Sequence, residues 1–198
     1  MLHTLTAILL LTALPAMAQD TIIVAPVYSQ LVAFPAPAGF QARNEAEKAG
    51  SYLLELLPQG ETLGAWSQML TLTGARGGAA GQTVLNAATT IGEGYRAACP
   101  DTFSARSFPA PKIKGAVQAF GGYLGCGTVD GHSEEMVFVI VQGKADLFTV
   151  QWAARGPAKA SPIVVDAAIW KPRADALALT RICDKVPGEA APYPSCTQ

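Results

Sequence analysis

One histidine stands outside the first few residues of this chain, and it sits among groups that do chemistry together. The segment Thr128-Val129-Asp130-Gly131-His132-Ser133-Glu134-Glu135 puts a base, a hydroxyl and acids into one short stretch. A hydrolase of the Ser/His/acid type uses those side chains, with the imidazole taking the hydroxyl proton and a carboxylate orienting the ring. Triad members ordinarily converge from separate elements, and Asp-Gly is a turn signal in its own right. The segment is therefore read first as a turn between two strands. A secreted hydrolase working through His132, Ser133 and Glu134, with Asp130 as another orienter, is the alternative.

Other candidate chemistry is weaker. The glycine-rich connection at residues 74–81 lies where backbone amides and a helix N-terminus would hold a phosphate. A phosphate loop needs a lysine before its Ser or Thr, and Gln82 stands there before Thr83, with Arg76 at the first glycine position. Nucleotide binding is excluded, leaving anion capture by Arg76 as the functional reading of a surface loop. Cys99, Cys126, Cys183 and Cys196 contain no Cys-x-x-Cys pair, which disfavours a metal, so no metal or other cofactor is expected. An even number favours two disulfides, for which three connectivities exist; local order favours Cys99 with Cys126 and Cys183 with Cys196. Closed loops of about 14 and 28 residues are each worth roughly 3 kcal/mol. Trp66, Trp152 and Trp170 either pack at the core or line a ligand pocket, and a carrier of a small apolar ligand would enclose it beside Trp66 or Trp152.

Positioning these residues requires a scaffold rich in strands. Residues 21–24 and 28–34 read as edge strands, because Pro26, Pro35 and Pro37 interrupt them. Strands follow at 51–57 and 66–73. After the glycine-rich loop, Val84, Ala88, Ile91, Tyr95 and Ala98 recur at spacings of three and four, the stripe of an amphipathic helix that stops before Pro100. Strands are expected at 102–108, 113–127, 135–141 and 147–154, with the last two joined as a hairpin. A second helix is expected from 164 through 182, with Pro172 at the first turn of a restarted segment. The order predicts an α+β fold, an antiparallel β-sheet flanked by two main helices.

Residues 56–71, from Leu56-Leu57-Pro58-Gln59-Gly60-Glu61 through Trp66 to Thr71, form a strand, acidic turn, tryptophan, strand passage. This passage resembles small secreted proteins of the Mog1/PsbP-like α/β/α sandwich type. The resemblance implies a central antiparallel sheet between helices and an interaction or assembly role, and carries over no catalytic residue.

The chain's address is written at its start. Residues 5–14 are apolar and uncharged, Pro15 follows, and Ala16-Met17-Ala18 offers a small-x-small cleavage site before Gln19. Residues 1–18 read as a signal peptide and 19–198 as a single globular domain with a disulfide-clipped tail, destined for the periplasm or secretion. Half of all residues are apolar, 15 % are charged and the net charge is −1, so no polyanion footprint exists and nucleic acid is excluded as a partner. The longest later apolar run, residues 136–141, falls well short of the roughly 20 needed to span a bilayer, so no membrane span is expected. The leading functional reading is a non-enzymatic binding or interaction domain whose partner is a protein or a small apolar ligand.

Overall fold

The computed structural model describes residues 20–197. The leader and its cleavage site at Ala18 and Gln19 lie outside them. The elements run β1 (Thr21–Val27), β2 (Gln30–Ala36), β3 (Phe40–Lys48), β4 (Ser51–Pro58), β5 (Gln68–Ala75), α1 (Gly78–Gly81) and α2 (Val84–Ala98). They continue with β6 (Phe103–Phe108), β7 (Gln118–Val129), β8 (His132–Gln142), β9 (Leu147–Pro157), α3 (Ala167–Leu177), β10 (Arg181–Asp184) and α4 (Pro194–Thr197).

Two sheets form, one of three strands in the order β1-β2-β10 and one of seven in the order β3-β4-β5-β9-β8-β7-β6. Every pairing between neighbouring strands is antiparallel. Of the described residues 48 % are strand and 19 % helix, which corrects the expected α+β fold, a Mog1/PsbP-like sheet flanked by two main helices. Three departures account for the difference. Phe40–Lys48 is an additional strand, and its exposed, charged character hides it from hydrophobic patterning. The second expected helix is only Ala167–Leu177, with Pro172 inside it instead of at its first turn. Arg181–Asp184 leaves helical geometry to pair with Gln30–Ala33. The last departure also corrects β2, which is the buried centre of the small sheet and not an edge. Its Pro35 is tolerated because β10 reaches only to Ala33, so no ladder on that side needs the missing N–H.

The core follows strand alternation. One face of the large sheet presents Leu54, Leu72, Val137, Val139 and Val150 to the small sheet and to Trp170, Ala174 and Leu177 of α3. The opposite face presents Leu124, Met136, Phe138 and Ile140 to Val84, Ala87 and Ala88 of α2. The unbroken apolar run in β8 thus serves both faces at once. Thr83 starts α2 by accepting the Asn86 N–H on its hydroxyl at 3.1 Å. The helix carries the chain across the sheet from central β5 to edge strand β6, after which β6, β7, β8 and β9 meander back to pair with β5.

Candidate functional site

The His132 segment is a turn and the start of a strand. Asp130 and Gly131 both adopt positive φ (48° and 82°), and Val129 pairs with His132 across them, the two-residue hairpin that Asp-Gly favours. His132 and Ser133 are consecutive residues of β8, so their side chains leave opposite faces, and Ser133 is buried. Glu134 shares the His132 face: His132 Nε2 is 3.7 Å from Glu134 Oε2, and its Nδ1 lies 3.3 Å from the Asp130 carbonyl. Among the described residues His132 Nε2 has no hydrogen-bond partner. Glu134 instead accepts the Tyr95 hydroxyl at 2.5 Å and pairs with Arg155 Nε at 3.5 Å, while the Arg155 guanidinium stacks 3.8 Å over Trp66. Burial, and then the Glu134 charge, hold the Tyr95 hydroxyl well above its ordinary pKa. Of the three triad-type residues the fold brings His132 and Glu134 together and turns Ser133 away. The resulting cluster ties α2 to β8 and β9.

The glycine-rich loop holds an anion of its own. Gly77, at φ 68°, donates its N–H to Asp146 Oδ1 at 2.8 Å, and the Ser29 hydroxyl donates to Asp146 Oδ2 at 3.3 Å. Arg76 is spent on Glu47, at 2.5 Å, and on the Tyr28 ring, 4.6 Å away. Anion capture by Arg76 and the loop amides is thus answered from within the chain by a buried aspartate.

Both disulfides form in the locally favoured pairing, Cys99 with Cys126 and Cys183 with Cys196, at Cα separations of 5.8 and 5.7 Å. The first pins the end of α2 to β7. The second ties α4 to strand β10, where a helix was expected before it. Among the described residues no cluster of His, Cys, Asp and Glu has the makings of a metal site.

The tryptophans pack. Arg173 lies 4.4 Å from the Trp170 ring and 5.3 Å from the Trp152 ring, and its burial lowers its pKa. Trp170 donates to Glu135 and Trp152 to Gln68.

A concave, mostly apolar site lies elsewhere, between α2 and the β6–β7 edge of the large sheet. It is a groove of about 360 Å³ with Phe103, Phe120, Leu124 and Phe138 on the sheet side and Leu85, Ala88, Thr89, Gly92, Glu93 and Arg96 on the helix side. No tryptophan lines it, so this groove is not the enclosure beside Trp66 or Trp152 that the carrier reading expects. Its existence has a local cause: Gly92 offers no side chain, and a Cβ built there meets nothing within 4 Å. Phe120 and Phe138 sit with ring centroids 6.2 Å apart on its floor, and Arg96 extends over Phe103 at 5.1 Å. Leu85 is 58 % exposed beside it, an apolar side chain that the core leaves unused. The sequence carries two signals for this site, Leu85 off the buried stripe and Gly92 within the helix. Both stand out only once the position of α2 over β6 and β7 is known.

The geometry defines a mostly β, two-sheet domain with an apolar groove under its long helix. No protein-family model matches the chain, and no curated protein matches it.

Proposed function

We propose that this chain is a non-enzymatic binding domain of the periplasm or the extracellular medium, and that the groove between α2 and β6–β7 takes the apolar part of its partner. The observation that carries the reading is the groove itself: an open hollow with phenylalanine walls, an unused exposed leucine, and a glycine where the helix would otherwise fill it. Pockets that bind organic groups are mostly apolar with a few polar groups at the mouth, here Glu93 and Arg96. Two disulfides support an oxidising compartment. A His132 hydrolase finds less support, since Ser133 and the imidazole leave opposite faces of β8.

The test uses an apolar fluorophore, N-phenyl-1-naphthylamine, titrated into the folded protein. Saturable enhancement is expected, and Gly92→Leu should abolish it while leaving the fold intact, because a leucine there enters open space and gains about 0.5–1 kcal/mol of helix preference. His132→Ala should bind the dye as the parent does. Equal dye binding by the parent and Gly92→Leu would overturn the groove reading.

A further inference from the structure

The groove opens along a strand whose outer edge is unpaired. The Gly127 N–H donates to the Thr102 carbonyl at 3.0 Å, and antiparallel ladders exchange bonds at every second residue. Counting from there, Ser104, Arg106 and Phe108 bond β7 through their pairs Gly125, Tyr123 and Gly121. The N–H and C=O groups of Phe103, Ala105 and Ser107 therefore point away from the sheet. Among the described residues no backbone hydrogen bond meets them. These same three residues line the groove, and two of them have small side chains.

The other edge of the large sheet, β3, is guarded in the ways that edges usually are, by a register shift at Ala42/Asn44 and by Arg43, Glu45, Glu47 and Lys48. Edge strand β6 has no register shift and a single charge, Arg106. By strand alternation the Arg106 side chain belongs to the other face of β6, although the residue also borders the groove; it is exposed and forms no salt bridge among the described residues.

Resting on the binding reading above, we infer that the partner is an extended peptide segment of another protein that adds an eighth strand to the large sheet along β6, with alternate apolar side chains in the groove and acidic ones facing Arg106. A residue opposite Ala105 or Ser107 shares their face, so its side chain enters the space that these small residues and Gly92 leave under α2. Main-chain bonds would supply affinity and the groove would supply selectivity, as in other strand additions.

The folded protein is panned against a phage-displayed library of random nonapeptides. Enrichment of apolar residues at alternate positions with Asp or Glu between them is expected. The best peptide is then made synthetically with N-methyl groups on one alternate set of amides or on the other. One set should weaken binding at least about tenfold and the other by less than about twofold, because only one set faces β6. Arg106→Glu should shift the preference from acidic to basic peptides, and Ala105→Pro, which removes an edge-facing N–H, should weaken binding as the sensitive methylated set does. No enrichment overturns the inference, as does a dimer that Ala105→Pro dissolves, which would assign the edge to a second copy of this chain. Equal tolerance of both methylated sets, with binding still lost in Gly92→Leu, overturns strand addition and leaves the groove reading standing. Peptide and dye binding both unchanged in Gly92→Leu overturns the two together.

Discussion

Glu134 organises its corner of the molecule by accepting from Tyr95, pairing with Arg155 and standing near His132. Its carboxylate is thereby fixed as an anchor between helix and sheet. Tyr95→Phe removes the buried hydrogen bond and should cost about 1 kcal/mol at neutral pH, read from urea midpoints. The same variant should respond less to alkali. The Tyr95 pKa is raised in the folded protein, so the unfolded chain loses that proton first as pH passes about 10. The stabilisation is complete below that pH and declines above it, and Tyr95→Phe should show a shallower decline. Tyr28, Tyr52 and Tyr123 are raised as well, chiefly by burial, so the parent's residual slope in that variant belongs to them. At this scale the turn at Asp130-Gly131 was legible, because its chemistry is local. The partners of Glu134 were not, since Tyr95 and Arg155 reach it from a helix and a neighbouring strand.

Elements with a strong internal period were the legible ones. The α2 helix matches its stripe because Val84 and Ala88 must be buried whatever the topology, although Ala98 at its end remains exposed. Strand β10 was hidden, for Arg181–Asp184 is extended only by pairing with β2 at the other end of the chain. Pro172 is the clearest local conflict, lying inside α3, where it cannot donate to the carbonyl one turn back. It is exposed, so Pro172→Ala should restore that bond without disturbing Trp170 or Ala174. The expected gain is about 1–2 kcal/mol, the helix preference less the entropy that proline removes from the unfolded chain, and a raised Tm would register it. Replacing Cys183 and Cys196 together by serine should cost about 3 kcal/mol, since the bridge is what holds the short α4 against β10. Hydrogen exchange in that double variant should rise first in β10 and α4.

At the scale of the whole molecule, the two sheets share one core. Every residue of β2 is buried, with Val32 and Phe34 facing the large sheet and Leu31 and Ala33 facing Cys196 and the tail. The small sheet cannot leave without exposing Leu54, Leu72, Val139 and Val150, and the large sheet cannot keep that face dry alone. Such mutual burial couples the two sheets in a single cooperative unit. This layering was not legible in advance, because an apolar run such as Val137-Phe138-Val139-Ile140 announces burial on both faces but not what covers each. Calorimetry should therefore give one transition with equal calorimetric and van't Hoff enthalpies. Reducing both disulfides should lower its temperature without splitting it, because both bridges hold helix ends against strands and neither joins the two sheets through the shared core. Two resolved transitions, the first of them releasing β1, β2 and β10 to hydrogen exchange, would show instead that the small sheet folds as a separable layer. In that case β6 and the groove, which lie on the large sheet alone, would keep their peptide and dye binding above the first transition.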